Sequence, residues 1–312
     1  MKTVFVSEYL CSGAWPEDEL PASLVTEGRS MLEALCEDLL ACDYKVCTTR
    51  DRRGTLSHLS GLEITDVDSP TQEWEAFGEL AKQCDATLVI APELDEILTQ
   101  RIEWLEQNKL NHFMSSVDST QTGSDKLLFS QFCLKHNLPT PETFLLHEPS
   151  AQQTKFPCPF PFVIKPQFGA GTTMTAVINS LEDWQDFSAR RVSEADFPPY
   201  IIQPIVCGNF VSTACIISPD GKQTDWLPVG QQLFEDLQYQ GGNIPYHHAL
   251  NDQLCEIAEK VISNLPGLRG YIGLDFLLAT DSEHPIQILE INPRLTTSYL
   301  GYRMLTKDSL AR

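Results

Sequence analysis

The chain is poor in positive charge. Its 312 residues hold 22 Lys and Arg against 43 Asp and Glu, a formal net charge of −21. Phosphate backbones are gripped by clustered Lys and Arg, so this balance argues against nucleic acid as a partner. The one basic cluster, Arg50, Arg52 and Arg53, is broken by Asp51 and reads as a solvated loop. The ten cysteines include no CxxC pair, and the densest group, Cys36, Cys42 and Cys47, has no histidine nearby. That spacing is wrong for zinc, and a chain able to bury a full core does not need a disulfide scaffold. Reduced, mostly buried thiols are expected. No run reaches the roughly 18 apolar residues of a membrane span, and Met1–Val6 turns polar too soon for a signal sequence. A cytoplasmic protein that meets no membrane is the expectation.

Two nucleotide signatures are also missing. No GxxxxGK[ST] loop occurs, and the first strand is followed by Ser7-Glu8-Tyr9-Leu10-Cys11-Ser12-Gly13 rather than GxGxxG, which disfavours NAD.

What is present reads as two textures. The first third alternates strands (Thr3–Val6, Tyr44–Thr48, Ala86–Ala91) with an amphipathic helix, Leu24–Leu40, whose stripe is Met31, Leu32, Leu35 and Leu39. Such alternation predicts a parallel, doubly wound α/β sheet. The polar stretch 111–124 reads as a linker. A helix capped by Ser124 follows, with Leu128 and Phe132 one turn apart and Asn137 and Pro139 ending it. From residue 160 strands dominate, with helices near 181–190 and 250–264, an α+β pattern.

Three segments carry chemistry. Pro161–Pro166 is a buried strand with Lys165 on the face of Val163, followed by the Gly-rich turn Gln167–Thr173 containing Gly169, Gly171 and Thr172. Glycines let backbone N–H groups close over phosphates, although a hairpin whose lysine reaches solvent would look the same. Tyr271–Leu278 and Ile286–Asn292 predict a hairpin. If its turn is symmetric, Ala279 faces Ile286 and Asp275 faces Glu290, with Asn292 on the same face. Two such carboxylates repel unless a cation lies between them, and hard oxygen ligands favour Mg²⁺. An exposed acid on a strand edge is the plainer alternative. Arg294 could neutralise a transferring phosphoryl group, or be a surface arginine. In Tyr200–Gly208 a strand breaks at Pro204, which frees backbone groups to read an adenine edge beside Ile205; a plain edge strand is again the alternative. Cys207 reads as packing, since no histidine partners it.

In order, Ser-Asp-Lys (124–126), Lys165 with its Gly-rich loop, Gln203-Pro-Ile-Val, Gly273-Leu-Asp275 and Glu290-Ile-Asn-Pro-Arg294 resemble the ATP-grasp family over roughly residues 115–300. The resemblance implies ATP between two α+β subdomains, with Lys126 and Lys165 on its phosphates and Gln203 and Ile205 at the adenine. It implies Asp275, Glu290 and Asn292 on Mg²⁺. It further implies a Rossmann-like domain over 1–115, a small subdomain over 116–200 and a C-terminal subdomain over 201–312. Members typically phosphorylate a carboxylate and let an amine attack the acyl phosphate, so the partners would be a small carboxylate and a small amine. Glu8-Tyr9, Ser12-Gly13, Glu27-Gly28, Met31-Leu32, Arg50–Arg53, Gly241-Gly242 and Arg294–Tyr299 together resemble the tyramine–glutamate ligase branch of that family. Phe210 departs from the wider pattern, because an acidic ribose ligand is common there. The Gly241–Asn243 loop is expected to wall the substrate site. A small-molecule kinase and a non-catalytic nucleotide-binding regulator are the competing readings. Oligomeric state is open, a homodimer included, and a helix starting near Thr297 leaves room for a C-terminal tail.

Overall fold

The computed structural model describes residues 1–17, 19–92, 96–146, 152–169, 174–191, 199–236, 238–280, 283–306 and 309–311. The chain begins with β1 (Thr3–Glu8), α1 (Ala22–Ala41), β2 (Lys45–Asp51), β3 (Leu62–Val67), α2 (Pro70–Gln83), β4 (Ala86–Ile90) and α3 (Ile97–Gln107). The four strands form one parallel sheet in the order β3-β2-β1-β4. Strand β1 is buried along nearly its whole length because helices cover both faces. Val4 and Val6 pack with Met31, Leu32, Leu35 and Leu39 of α1, while Phe5 packs with Phe77 of α2 and Leu98 and Ile102 of α3. The predicted helical stripe is thus the buried one. The sequence reading finds three of these strands; β3, an edge strand whose residues alternate between half-buried and exposed, carries no apolar run.

The basic cluster is not a free loop: Arg50 lies in β2 and pairs with Asp66 at 2.7 Å, and Arg53 pairs with the buried Asp51 at 2.6 Å. Nor is 111–124 a bare linker. Ser116 accepts from the Ser119 N–H and starts α4 (Val117–Ser124). The next helix, α5 (Lys126–Lys135), is capped by Asp125 rather than by Ser124, which closes α4. Its buried face is Phe129 and Cys133, leaving Leu128 exposed.

The second sheet comprises β5 (Phe144–Leu146), β6 (Phe162–Pro166), β7 (Ala176–Ile178) and β8 (Tyr200–Pro204), in the order β5-β8-β6-β7. Helix α6 (Leu181–Arg191) closes it with Trp184 and Phe187 against Phe162, Ile164 and Tyr200. Strand β8 is interior, flanked by β5 and β6, so the edge-strand alternative fails.

The third sheet holds β9 (Gly208–Ile217), β10 (Thr224–Trp226), β11 (Gly230–Glu235), β12 (Gln238–Asn243), β13 (Gly270–Ala279) and β14 (Ile286–Asn292). Its order is β12-β11-β9-β13-β14, with β10 also on β9. Gly241 and Gly242 therefore lie in a paired strand, not a loop. One face packs on α5 and α7 (Asn251–Asn264) through Phe129, Leu254, Ala258, Val261, Phe276 and Ile288. Truncating a fully buried leucine such as Leu254 to alanine costs about 2–5 kcal/mol, so this face is firmly held. The opposite face is left for polar residues. Finally α8 (Tyr299–Tyr302) returns to the first lobe, where the Tyr299 hydroxyl donates to Asp38 at 2.5 Å and Arg303 pairs with Glu37 and Asp38.

Candidate active site

Asp275 stands opposite Glu290, but not by the symmetric count. Leu278, not Ala279, faces Ile286, and Phe276 faces Ile288. A bulge at Leu289 then inserts one residue into β14, so Asp275 meets Glu290 and Gly273 meets Asn292. The bulge has a physical consequence. With strict alternation, Ile286, Ile288, Glu290 and Asn292 would share one face. The extra residue sends Ile286, Ile288 and Ile291 into the core and turns Glu290 and Asn292 to the opposite face.

Asp275 is the centre of a hydrogen-bonded group. Asn292 Nδ2 donates to its Oδ2 at 2.9 Å, and Gln232 Nε2 donates to its Oδ1 at 2.8 Å. Burial, with the Glu290 charge beside it, pushes its carboxyl well above the usual carboxylate range. Burial acts on Glu290 in the same direction, yet Lys126 and Lys165 outweigh it and hold that carboxyl low. The two acids therefore sit in unequal environments, proton binding being favoured at Asp275 and opposed at Glu290. Arg294 reaches Asn292 Oδ1 with Nη2 at 3.3 Å and the Leu295 carbonyl with Nη1 at 3.1 Å.

The lysines arrive from elsewhere. Lys165 sits in β6 on the half-buried face; desolvation, with Lys126 nearby, pushes its ammonium down to about 8 against the pull of Glu290 and Asp275. Lys126 opens α5 and donates from Nζ to the Gly169 carbonyl at 2.7 Å. Asp125 binds this corner together: Oδ1 accepts from the N–H groups of Leu127 and Leu128, and Oδ2 accepts from Gln167 Nε2 at 2.9 Å. Gly169 has φ +123°, a conformation that other residues rarely adopt. Gly171 and Thr172 lie outside the described residues.

Lys126, Lys165, Gly169, Asp275, Glu290, Asn292 and Arg294 are therefore linked by contact or charge. Gln203 faces Val163 two places along from Lys165, but its amide donates to Thr143 Oγ1 at 2.8 Å and is buried. Ile205 is half-buried just past the end of β8. Cys207 is exposed, so it is not a packing residue; the Thr280 N–H donates to its carbonyl. All ten cysteines are free, and six of them are buried. Among the described residues no helix is long and apolar enough to cross a membrane.

The donor set suits a hard divalent cation. Two buried carboxylates facing one another are relieved by a +2 charge, and the amide oxygen of Asn292 adds a third ligand of the same hardness. Among the described residues no three His, Cys, Asp or Glu side chains cluster for a metal, so other oxygens must come from phosphates and water. Gln232 and Tyr239 escape the sequence reading. Gln232 carries no charge, and its reach to Asp275 crosses β9, a neighbour relation invisible before the strand order is known. Tyr239 of β12 hydrogen-bonds with Thr297 and lies within electrostatic range of Asp275 and Glu27.

Residues 123–298 match the family model of the ATP-grasp domain, and residues 44–119 match that of the pre ATP-grasp 3 domain. The chain is 25% identical to a tyramine–L-glutamate ligase of Methanocaldococcus fervens, across 95% of this chain and 87% of that protein. It is also 25% identical to a D-alanine–D-alanine ligase of Francisella philomiragia, across 66% of this chain and 69% of that one. Among solved structures, an ATP-grasp superfamily protein from Archaeoglobus fulgidus superposes with a TM-score of 0.74 at 21% identity, over 100% of this chain and 87% of that one. N5-carboxyaminoimidazole synthetase from Staphylococcus aureus in complex with ADP gives 0.71 at 15% identity, over 95% and 71%. Likeness at these identities speaks for the fold.

Proposed function

The chain belongs to the ATP-grasp family and is an ATP-dependent carbon–nitrogen ligase that works with Mg²⁺; from that premise we propose that it joins a small carboxylic acid to a small amine through an acyl phosphate. The observation that carries this reading is the meeting of Asp275, Glu290 and Asn292 on one face with Lys126, Lys165 and Arg294 beside them. In this reading the two lysines and the N–H groups about Gly169 hold the phosphates of ATP. Gln203 and Ile205 lie at the adenine, while Asp275, Glu290 and Asn292 hold the metal. Mg²⁺, when bound, supplies neutralisation of phosphate charge. A carboxylate oxygen of the acid displaces ADP from the γ-phosphoryl group, and Arg294 offsets the charge that builds there. The amine nitrogen then displaces phosphate to form the amide and releases its proton. No protein nucleophile is required, and the protein's part is positioning and charge compensation.

The relation to tyramine–L-glutamate ligase over nearly the whole chain supports glutamate as the acid and tyramine as the amine. Tyrosine as an alternative amine, and a methanofuran-like cofactor pathway as the setting, are what the resemblance to that branch implies. The reading also takes residues 1–115, 116–200 and 201–312 as the pre-grasp domain and the two grasp subdomains. Ten free thiols fit a reducing compartment such as the cytoplasm. The test is two measurements. Mg-ATP is expected to raise the thermal midpoint, and phosphate release is expected to require glutamate together with tyramine or tyrosine. A phosphorylated product that is stable without any amine would assign a kinase instead; no release with either amine would reject these substrates.

A further inference from the structure

Two thiols from different layers of the first lobe meet inside it. Alternation along β2 sends Val46 toward α1 and Cys47 toward α2, where it packs with Phe77 and Ala81. Helix α2 ends where the Cys84 N–H donates to the Leu80 carbonyl at 3.0 Å. Cys84 closes that helix with an extended backbone, φ −92° and ψ 155°, which turns the chain toward β4. Its sulfur lies 3.3 Å from Cys47 Sγ, although the two residues are 37 apart in the chain. Their exposure differs: Cys47 is buried and Cys84 half-buried. Among the described residues Cys207, the exposed cysteine, makes no such contact.

We propose that Cys47 and Cys84 are a modification site, a dithiol that a low-molecular-weight disulfide converts reversibly into an intramolecular disulfide stapling the end of α2 to β2. The half-buried Cys84 meets the oxidant. Its thiolate is favoured because the Cys47 S–H donates to it, and that same bond, with burial, holds Cys47 as a thiol. Asp85 and Glu63 oppose the thiolate, and Cys36, within electrostatic range of Cys47, is buried with α1. Cys84 attacks one sulfur of the oxidant and releases one small thiol, leaving a mixed disulfide. Cys47 then gives up its proton, attacks Cys84 Sγ and expels the second small thiol. Two protein thiols are oxidised to one disulfide while one small disulfide is reduced to two thiols, which carry away both protons. The sulfurs of a disulfide lie about 2.05 Å apart, so closure needs a shift of roughly 1 Å. A reducing compartment keeps the pair open, and a rise in the small disulfide closes it.

The experiment incubates the full chain with oxidised glutathione at pH 8, blocks the remaining thiols with iodoacetamide under denaturing conditions, and reads the peptides by mass spectrometry. The Cys47 and Cys84 peptides should emerge joined and free of glutathione, whereas Cys207 should carry glutathione. The joined protein should melt roughly 5 °C above the reduced one, since the cross-link restricts the unfolded chain. Cys47→Ala should leave Cys84 holding glutathione and remove that gain. Cys84→Ser, at the more exposed position, serves if the alanine variant does not fold, and in it Cys47 should stay a free thiol. A wild type in which Cys84 keeps its glutathione, or in which both cysteines are still alkylated once Cys207 is fully modified, overturns the pair. A joined pair with no rise in the thermal midpoint overturns the staple.

Discussion

The carboxylate of Glu8 fills the space that a side chain on Gly28 would need. A Cβ built on Gly28 would overlap Glu8 Oε1, so helix α1 sits directly on the end of β1. Burial pushes this carboxyl from 4.5 up to about 7, although the Cys11 N–H donates to it at 2.8 Å. A group whose folded pKa is raised in this way holds its proton longer folded than unfolded. Stability therefore falls as pH rises from about 4.5 to about 7, and stays lower above that. The shift corresponds to about 3 kcal/mol at most. Glu8→Gln should flatten this part of the profile and be more stable than wild type at pH 8, read as the difference in urea midpoints between pH 5 and pH 8. An unchanged difference would refute the assignment. Gly28→Ala should cost about 1–3 kcal/mol by overpacking.

Glu290→Gln should abolish turnover and the Mg²⁺-dependent part of the ATP thermal shift while leaving the fold intact. Without the Glu290 charge Asp275 can ionise more readily beside the same lysines, so the thermal midpoint without ligand should stay close to wild type. Circular dichroism and phosphate release decide it. Turnover at the wild-type rate would sink the metal assignment.

Lys165 should lose positive charge as the free enzyme is taken above pH 8, because desolvation has brought its ammonium down to about 8. Affinity for ATP should decline above that pH in the wild type. Lys165→Met should weaken ATP by about 10- to 100-fold at pH 7, the scale of one charge-assisted hydrogen bond. Lys165→Arg should retain binding and lose the decline. Calorimetry across pH 6.5–9 on the three proteins checks this, and a pH-independent wild type would count against it.

Asp125→Ala should cost about 2 kcal/mol, half from the helix cap and half from the Gln167 bond. It should also weaken ATP, since it loosens the corner that joins Lys126 to Gly169. Asp125→Asn keeps the cap and should recover most of the stability; a nucleotide affinity unaffected by alanine would detach this corner from the phosphates.

Much of this protein is legible in its residue order. The stripe on α1, the cation in β6, the break at Pro204 and the Asp275/Glu290/Asn292 set all follow from local periodicity, which depends only on backbone geometry. The parallel sheet follows from alternating elements. What local pattern could not decide depends on contacts between distant segments. The symmetric hairpin count reaches Asp275 opposite Glu290 through a register that is wrong by one, and the bulge at Leu289 makes up the difference. Packing of Phe276, Ile288 and Ile291 against α7 selects that bulge, since each must be buried on the same side. The link from Gln232 to Asp275 exists only because β9 lies between their strands. Arg50 looks solvated until β3 pairs with β2 and brings Asp66 to it. Sequence alone determined which groups could bind a cation and phosphates; the tertiary structure decided which way they face, because a strand's facing is settled by whatever covers its other side.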